Sequence, residues 1–371
     1  MKNTIKLLLQ LVLGIVLSCK SFSQTAKIEY IAHAAFILES KQGTRILIDP
    51  YHSYNQMGYT FPEGIAVDAV LITHAHYDHD GSKYLEINTP VFREAGSYQI
   101  NDITFHGIAG KHAYYDRILM SGSPAAYNTM WVINLGDTQI VHLGDTATPT
   151  PEEMDQLTGA DIIIGHPNDE LLDLFPNTTY IPNHYLLPQV TKHTNWMQPI
   201  DGWLKDKEKV TRLGNNTFHL DQETPKGVLY FQPSSRVKEW PVNYYKTLEL
   251  LKEARTSFNE NKDLDVALQL MNKAIESSPH IFQGYLSKAS VLASEQKYSE
   301  VIATLEKGFD KARGIDWGRE GRAHLLLAQA NVAISNPKQA LYHYNWLVLN
   351  KRIANSKYVA EAKAFIEDYK K

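Results

Sequence analysis

Apolar and polar positions repeat with two different periods along this chain, and the change falls near residue 244. From Thr25 to about Trp240, short apolar runs follow one another between turn residues, which predicts strands. Lys27–Leu38 and Thr44–Ile48 flank Ser40-Lys41-Gln42-Gly43 as a hairpin-like pair. Ala66–Ile72 is an apolar run of the buried type and ends at Thr73. Comparable strands are predicted at Pro90–Arg93, Ile103–Ile108, Thr129–Asn134, Gln139–His142 and Asp161–Ile164. A short helix is expected over Thr150–Leu157, after a capping-type Thr148. Strands interleaved with occasional helices imply an α/β architecture of two sheets covered by helices.

Beyond Tyr244 long helical periodicity takes over, and it contains an internal repeat. Ala254, Ala267, Ala274 and Pro279 recur as Ala289, Val301 and Gly308, and again as Ala328, Ala340 and Leu347. Within each copy the small residue of the first helix leads that of the second by 12 or 13 positions. The step from Ala267 to Val301 is 34 residues and that from Val301 to Ala340 is 39, the excess falling in Gly314–Gly318. Small residues at these places let two antiparallel helices approach, and Pro279 stops a helix. The pattern resembles tetratricopeptide repeats in about three copies over 247–350, with Ser356–Tyr369 as a capping helix. A plain helical bundle is the alternative. Repeats of this kind present a concave surface, so a protein partner is one expectation for this part.

Composition adds three constraints. The formal charge is −4, without a long run of Lys or Arg, so neither a nucleic-acid groove nor a polybasic membrane patch is suggested. Residues 1–23 read as a secretory signal. Lys2 and Lys6 precede an eleven-residue apolar stretch, Leu7–Leu17, broken only by Gln10 and Gly14. A spanning helix needs roughly 20 residues, so no transmembrane span is expected. Ser21-Phe22-Ser23 offers a cleavage site; the rival is a lipoprotein signal, with Val16-Leu17-Ser18-Cys19 as lipobox and a lipid anchor on Cys19. Both imply export, to the periplasm or beyond, or to a lipid-anchored position. Removing 1–23 takes three Lys and no acid, which moves the charge from −4 to −7. Cys19 is the sole cysteine, so a metal site in the mature chain has to use His and carboxylate.

Those ligand types cluster. His74, His76, Asp78 and His79 fall within six residues directly after the Ala66–Ile72 strand. Two positions apart, His74 and His76 project to the same side of extended backbone. After a turn, Asp78 and His79 can reach a second point a few ångströms away. Imidazoles and a carboxylate are what zinc accepts where thiolate is lacking. The bland alternative is a polar loop that happens to be His-rich.

His-x-His-x-Asp-His after a strand resembles the signature of the metallo-β-lactamase superfamily. Ile46-Leu47-Ile48-Asp49-Pro50 lies upstream and His142-Leu143-Gly144-Asp145-Thr146 downstream, as in that family. Ala32-His33-Ala34-Ala35-Phe36 and Ile181-Pro182-Asn183-His184-Tyr185 look most like its ascorbate-6-phosphate lactonase-like branch, with N-acylphosphatidylethanolamine phospholipase D more distant. The likeness covers roughly 27–190. It implies an αββα sandwich over about 25–240, ahead of the helical repeats of 247–371, and a two-zinc centre (Mn2+ or Fe2+ as alternatives). His74, His76 and His112 would hold the first ion, Asp78, His79 and His184 the second, and Asp145 would bridge them. His112 is preferred to His106, which sits inside the strand Ile103–Ile108, because Ala109-Gly110-Lys111-His112 reads as a loop. A helix N-cap is the plainer role for Asp145. Asp49 would orient a metal-bound His from behind. His33 would touch substrate or act from behind a ligand, although Ala32 stands where the family usually has Gly. His166 is a further candidate for substrate contact, with packing as the alternative; Tyr77, Tyr114 and Tyr115 could line the pocket.

Such a centre lowers the pKa of a shared water from about 15.7 towards 7. The resulting hydroxide cleaves a small ester, lactone or phosphodiester, with Asp78 and Asp145 as catalytic carboxylates. No Gly-x-Ser-x-Gly, Gly-x-x-x-x-Gly-Lys or Gly-x-Gly-x-x-Gly motif offers a rival chemistry. The alternatives are a β-lactam hydrolase and a scaffold in which the repeats recruit a partner. Nucleic-acid processing is disfavoured by the export signal and the acidic charge.

Overall fold

The computed structural model describes residues 25–53, 57–82, 85, 88–113, 127–190, 197–221, 223–239, 244–312, 315, 317–350 and 355–371. Residues 1–23, read above as an export signal, with Cys19, and Tyr114 and Tyr115 lie outside the described residues.

Fourteen strands among them form two sheets. The first sheet has six: β1 (Lys27–Ala32), β2 (Ala35–Glu39), β3 (Arg45–Ile48), β4 (Ala69–Leu71), β5 (Val91–Phe92) and β13 (Thr217–His219), in the order β13-β1-β2-β3-β4-β5. The second has eight: β6 (Gly96–Ile100), β7 (Ile103–Lys111), β8 (Tyr127–Leu135), β9 (Thr138–His142), β10 (Ile162–Gly165), β11 (Thr179–Pro182), β12 (Val210–Arg212) and β14 (Gly227–Tyr230). Their order is β12-β14-β11-β10-β9-β8-β7-β6. Side chains from the two sheets share one core, including Ile28, Phe36 and Leu47 from the first and Phe105, Trp131 and Ile164 from the second. The two-residue period of a strand is visible in β10. Ile162 and Ile164 enter that shared core, whereas Ile163 enters a second cluster with Leu157 and Leu171. The helices α1 (Pro151–Leu157) and α2 (Asp169–Asp173) supply those leucines and cover the second sheet. A third short helix, α3, spans Asp201–Lys205.

Three local expectations need correction. Lys27–Leu38 is two strands, because the chain turns back at His33-Ala34 and pairs Ala32 with Ala35. No glycine marks that turn: His33 itself adopts φ +57°, a conformation His tolerates better than most residues. Residues 109–111 are strand, since β7 stays paired with β8 through Lys111 and Tyr127. His112 follows at the strand end and bridges Thr146. The cap of α1 is Thr150, not Thr148: it closes a capping box with Glu153 ahead of Pro151.

Among the described residues seven helices follow: α4 (Tyr244–Asn259), α5 (Leu264–Ser277), α6 (Phe282–Ser294), α7 (Tyr298–Lys311), α8 (Trp317–Ala333), α9 (Pro337–Leu349) and α10 (Ser356–Tyr369). The first six pack as three consecutive pairs, and α10 packs on α9. The residues of the repeat lie where the pairs meet, with Ala254, Ala267, Ala274, Ala289, Val301, Ala328 and Ala340 fully buried. A β-carbon on Gly308 would sit 2.9 Å from Phe282 and Tyr285, so closeness of helices is what this position requires.

Candidate metal centre

Strand ends place every group of the site. His33 sits in the β1–β2 turn and Asp49 follows β3; the loop 73–79 follows β4 and His112 follows β7. Asp145 comes after β9, His166 after β10 and His184 after β11. Strands β9, β10 and β11 run parallel, so their carboxyl ends open on one edge, the usual position of a ligand site in such sheets.

The 73–82 loop is fastened from below. Asp49 accepts hydrogen bonds from Thr73 N (2.7 Å), Thr73 Oγ1 (2.6 Å) and His79 Nδ1 (2.7 Å). Thr129 N donates to Thr73 O at 2.7 Å, and Trp131 Nε1 to Ile72 O at 3.1 Å. The far end is held by buried Asp80, which takes Arg93 Nε at 2.8 Å and Arg93 Nη2 at 3.1 Å. Gly144 adopts φ +60° where a β-carbon would lie 2.6 Å from Thr73 Cβ, so the turn before Asp145 can press against this loop only with glycine.

Two groups of four donors and one of three result. The ligand atoms of His74, His76, His112 and Asp145 all lie within 4.8 Å of one another, as do those of His33, Asp78, His79 and His184, and those of Asp145, His166 and His184. The carboxylate of Asp145 stands between the groups. Its Oδ2 is 3.5 Å from His112 Nε2, 3.5 Å from His184 Nε2 and 3.9 Å from His74 Nε2. Its Oδ1 is 3.2 Å from His79 Nε2 and 2.7 Å from His166 Nε2. Asp78 Oδ2 lies 3.3 Å from both His33 Nε2 and His184 Nε2. All seven residues expected from the HxHxDH pattern and its companions meet here, together with Asp49 and His33.

The reading from sequence placed His33 and His166 less firmly. His33 stands inside the second donor group, and His166 bonds Asp145 directly. Its position just past the end of β10, as Asp145 lies just past the end of β9, was the available signal. His106 stays away, bonded to Ser97 Oγ at 2.9 Å. Buried His142 is structural: Nε2 meets Ala34 O at 3.0 Å and Nδ1 accepts from Gly144 N.

The charge pattern suits a cation. Burial pulls the imidazoles of His74 and His76 below their ordinary range, and nearby His79 adds to this at His74. Burial and the adjacent His184 take His33 down to about 3. These rings are therefore neutral, the ligating form. Burial would push the carboxyl of Asp78 up, but His79 and hydrogen bonds from His184 and His33 hold it well below the usual range. At Asp145, His184, His79 and His166 overcome burial in the same way. Burial disfavours a charge on His79 too, yet Asp145, Asp49 and Asp78 raise it well above its ordinary value. Above the donors opens a cavity of about 640 Å³, lined among others by Tyr77, Pro167, Asn168, Met197 and Gln198.

Fold and site together define a class. Residues 27–167 match the family described as the beta-lactamase superfamily domain, and the first part of this chain is an α/β metallo-β-lactamase domain. A UPF0173 metal-dependent hydrolase of Pyrococcus horikoshii is 28% identical over 145 residues, which are 32% of this chain and 61% of the relative. One of Salinibacter ruber is 30% identical over 139 residues, with the same shares. The chain thus spans about three-fifths of the length of these curated relatives. Among solved structures, Zn2+-bound PqqB of Methylobacterium extorquens is 10% identical at a TM-score of 0.27, over 60% of this chain and 82% of that one. The first TPR of Spaghetti (RPAP3), bound to an HSP90 peptide, is 16% identical at a TM-score of 0.30, over 35% and 98%.

Proposed function

We propose that this chain is an exported hydrolase working through two zinc ions, with manganese or iron as alternative occupants. The observation that carries the reading is the meeting of two four-residue donor groups around one buried carboxylate. The donors fit the ions: neutral imidazoles and ionised carboxylates without thiolate are a zinc set, and three carboxylates already draw His79 towards a positive charge. On this reading His74, His76 and His112 would hold one ion and Asp78, His79 and His184 the other, with Asp145 available to both. When bound, the pair supplies Lewis acidity and brings the pKa of water from about 15.7 towards 7.

The chain's own residues do the orienting. Asp49 fixes the ring of His79 through Nδ1, leaving Nε2 for the site. His33 holds Asp78 Oδ2, and Asp78, which lines the cavity, accepts a hydrogen bond from the attacking water. A cavity of about 640 Å³ falls in the range that encloses small molecules, so the substrate is read as a small ester, lactone or phosphodiester. The lactonase-like branch is favoured by the motifs around His33 and His184. The stacked helix pairs support a second role, recruitment of a protein partner. No helix of the described residues is long and apolar enough to cross a membrane.

The test is a hydrolysis screen of lactones, phosphodiesters and β-lactams with zinc-loaded protein, with His76→Ala as control. We expect His76→Ala to lose more than the roughly 10- to 100-fold typical for a partner behind a ligand, with its melting curve retained. Full activity in that variant, or a native protein that carries no metal by elemental analysis, refutes the reading. Amino-terminal sequencing of the mature protein tests export.

A further inference from the structure

His166 is anchored for a task that packing alone does not require. Its carbonyl accepts from buried Tyr180 Oη at 2.6 Å and from Asn168 N at 2.8 Å. The backbone just before it has no slack, since a β-carbon on Gly165 would come 2.7 Å from that same Tyr180 oxygen. Fixed this way, the imidazole does two things at once. Nε2 meets Asp145 Oδ1 at 2.7 Å, and the ring stacks on that of His184 at 4.3 Å and 23°. It is 27% exposed and forms part of the cavity wall.

The distances separate His166 from the other imidazoles. Two donors on one tetrahedral zinc at 2.0–2.1 Å stand about 3.3 Å apart. The approaches to Asp145 of His79 (3.2 Å), His112 (3.5 Å) and His184 (3.5 Å) are of that size. The 2.7 Å of His166 is too short for co-ligands and right for a charge-assisted hydrogen bond. Because the acceptor is a carboxylate, Nε2 carries the proton.

We propose that His166 is a positioning residue of the metal centre: it donates through Nε2 to Asp145 Oδ1, setting the rotation of the bridging carboxylate, and is not a further ligand. This rests on the two-ion reading above. Held from one side, Asp145 keeps its two oxygens distinct before any ion binds, so the centre is organised in advance.

Two substitutions split the contributions. His166→Phe keeps a ring against His184 and loses the N–H; His166→Gln loses the ring and keeps an N–H at a similar reach. Zinc affinity is read by chelator competition on the full chain, ions per chain by elemental analysis, and folding by thermal melt. We expect His166→Phe to weaken zinc binding about 10- to 100-fold with the ion count unchanged. His166→Gln should stay within about threefold of the native protein, as the donor is what counts. The proposal is overturned if His166→Phe binds as the native protein does, or if His166→Gln drops to one ion fewer, the mark of a lost ligand. Should His166→Phe fail to fold, the glutamine variant alone still decides by its ion count and affinity. A native chain that binds no zinc overturns the two-ion reading itself, and that arm is measured first.

Discussion

Seven non-glycine residues take positive φ among those described, and three of them are site groups: His33 (57°), Asp49 (44°) and His184 (58°). Each costs of order 1 kcal/mol and persists only where the surroundings over-determine it. At Asp49 the surroundings are three donors on two oxygens. Asp49→Asn keeps the shape but turns one acceptor into a donor, so at least one of Thr73 N, Thr73 Oγ1 and His79 Nδ1 faces another donor. Leaving such a buried group unpaired costs about 1–3 kcal/mol, and the ring of His79 loses its anchor. We expect the urea midpoint to fall accordingly and zinc affinity to drop about 10- to 100-fold. An Asp49→Asn variant with native affinity would show that Asp49 serves folding only.

At the scale of elements, what could be read in advance was what is local. The run Ala66–Ile72 and its His-x-His-x-Asp-His end are contiguous, so period and spacing sufficed. The repeat helices were legible because Ala267, Val301 and Ala340 recur at matching places. The His33 turn was hidden because the residues on either side of it, Tyr30–Ala32 and Ala35–Leu38, are apolar and buried and no glycine interrupts them. The bond from His166 to Asp145 was hidden because the two lie 21 residues apart and only the parallel pairing of β9 with β10 brings them together. Packing between helices carries a chemistry of its own. His324 Nδ1 and His343 Nδ1 lie 2.9 Å apart across the pair α8–α9, a bond that needs one ring deprotonated, and His324 stacks on Trp346 at 4.1 Å. Burial takes His343 from 6.5 down to about 4. As pH falls the unfolded chain therefore binds this proton first. The contribution to stability is full above about pH 6.5, is lost through about pH 4, and changes no further below. Melting curves should show His343→Gln losing less Tm than the native protein between pH 7 and 4.5. Equal losses would contradict the assignment.

Across the whole molecule, burial is divided in two. The apolar clusters that include Ala26 through Val237 draw on residues before 240, and those that include Leu251 through Ala362 draw on residues beyond 244; none mixes the two sets among the described residues. If each set folds on its own core, the two-state approximation fails for the whole chain and holds for each part. All donor groups of the site belong to the first part, so metal should stabilise that part alone. Zinc at 100 times its Kd adds about 2.7 kcal/mol to the state that binds it. For a unit of about 150–250 residues, each kcal/mol moves Tm by roughly 2–4 °C, so chelation should lower one calorimetric transition by roughly 5–10 °C. The transition of the helical repeats should stay where it is, and in His76→Ala the chelator-sensitive step should shrink, since a donor of the first group is gone. A single transition that moves as one would mean that the two parts unfold together. Two transitions that both ignore the chelator would mean that the buried imidazoles and carboxylates hold no metal, whatever their arrangement.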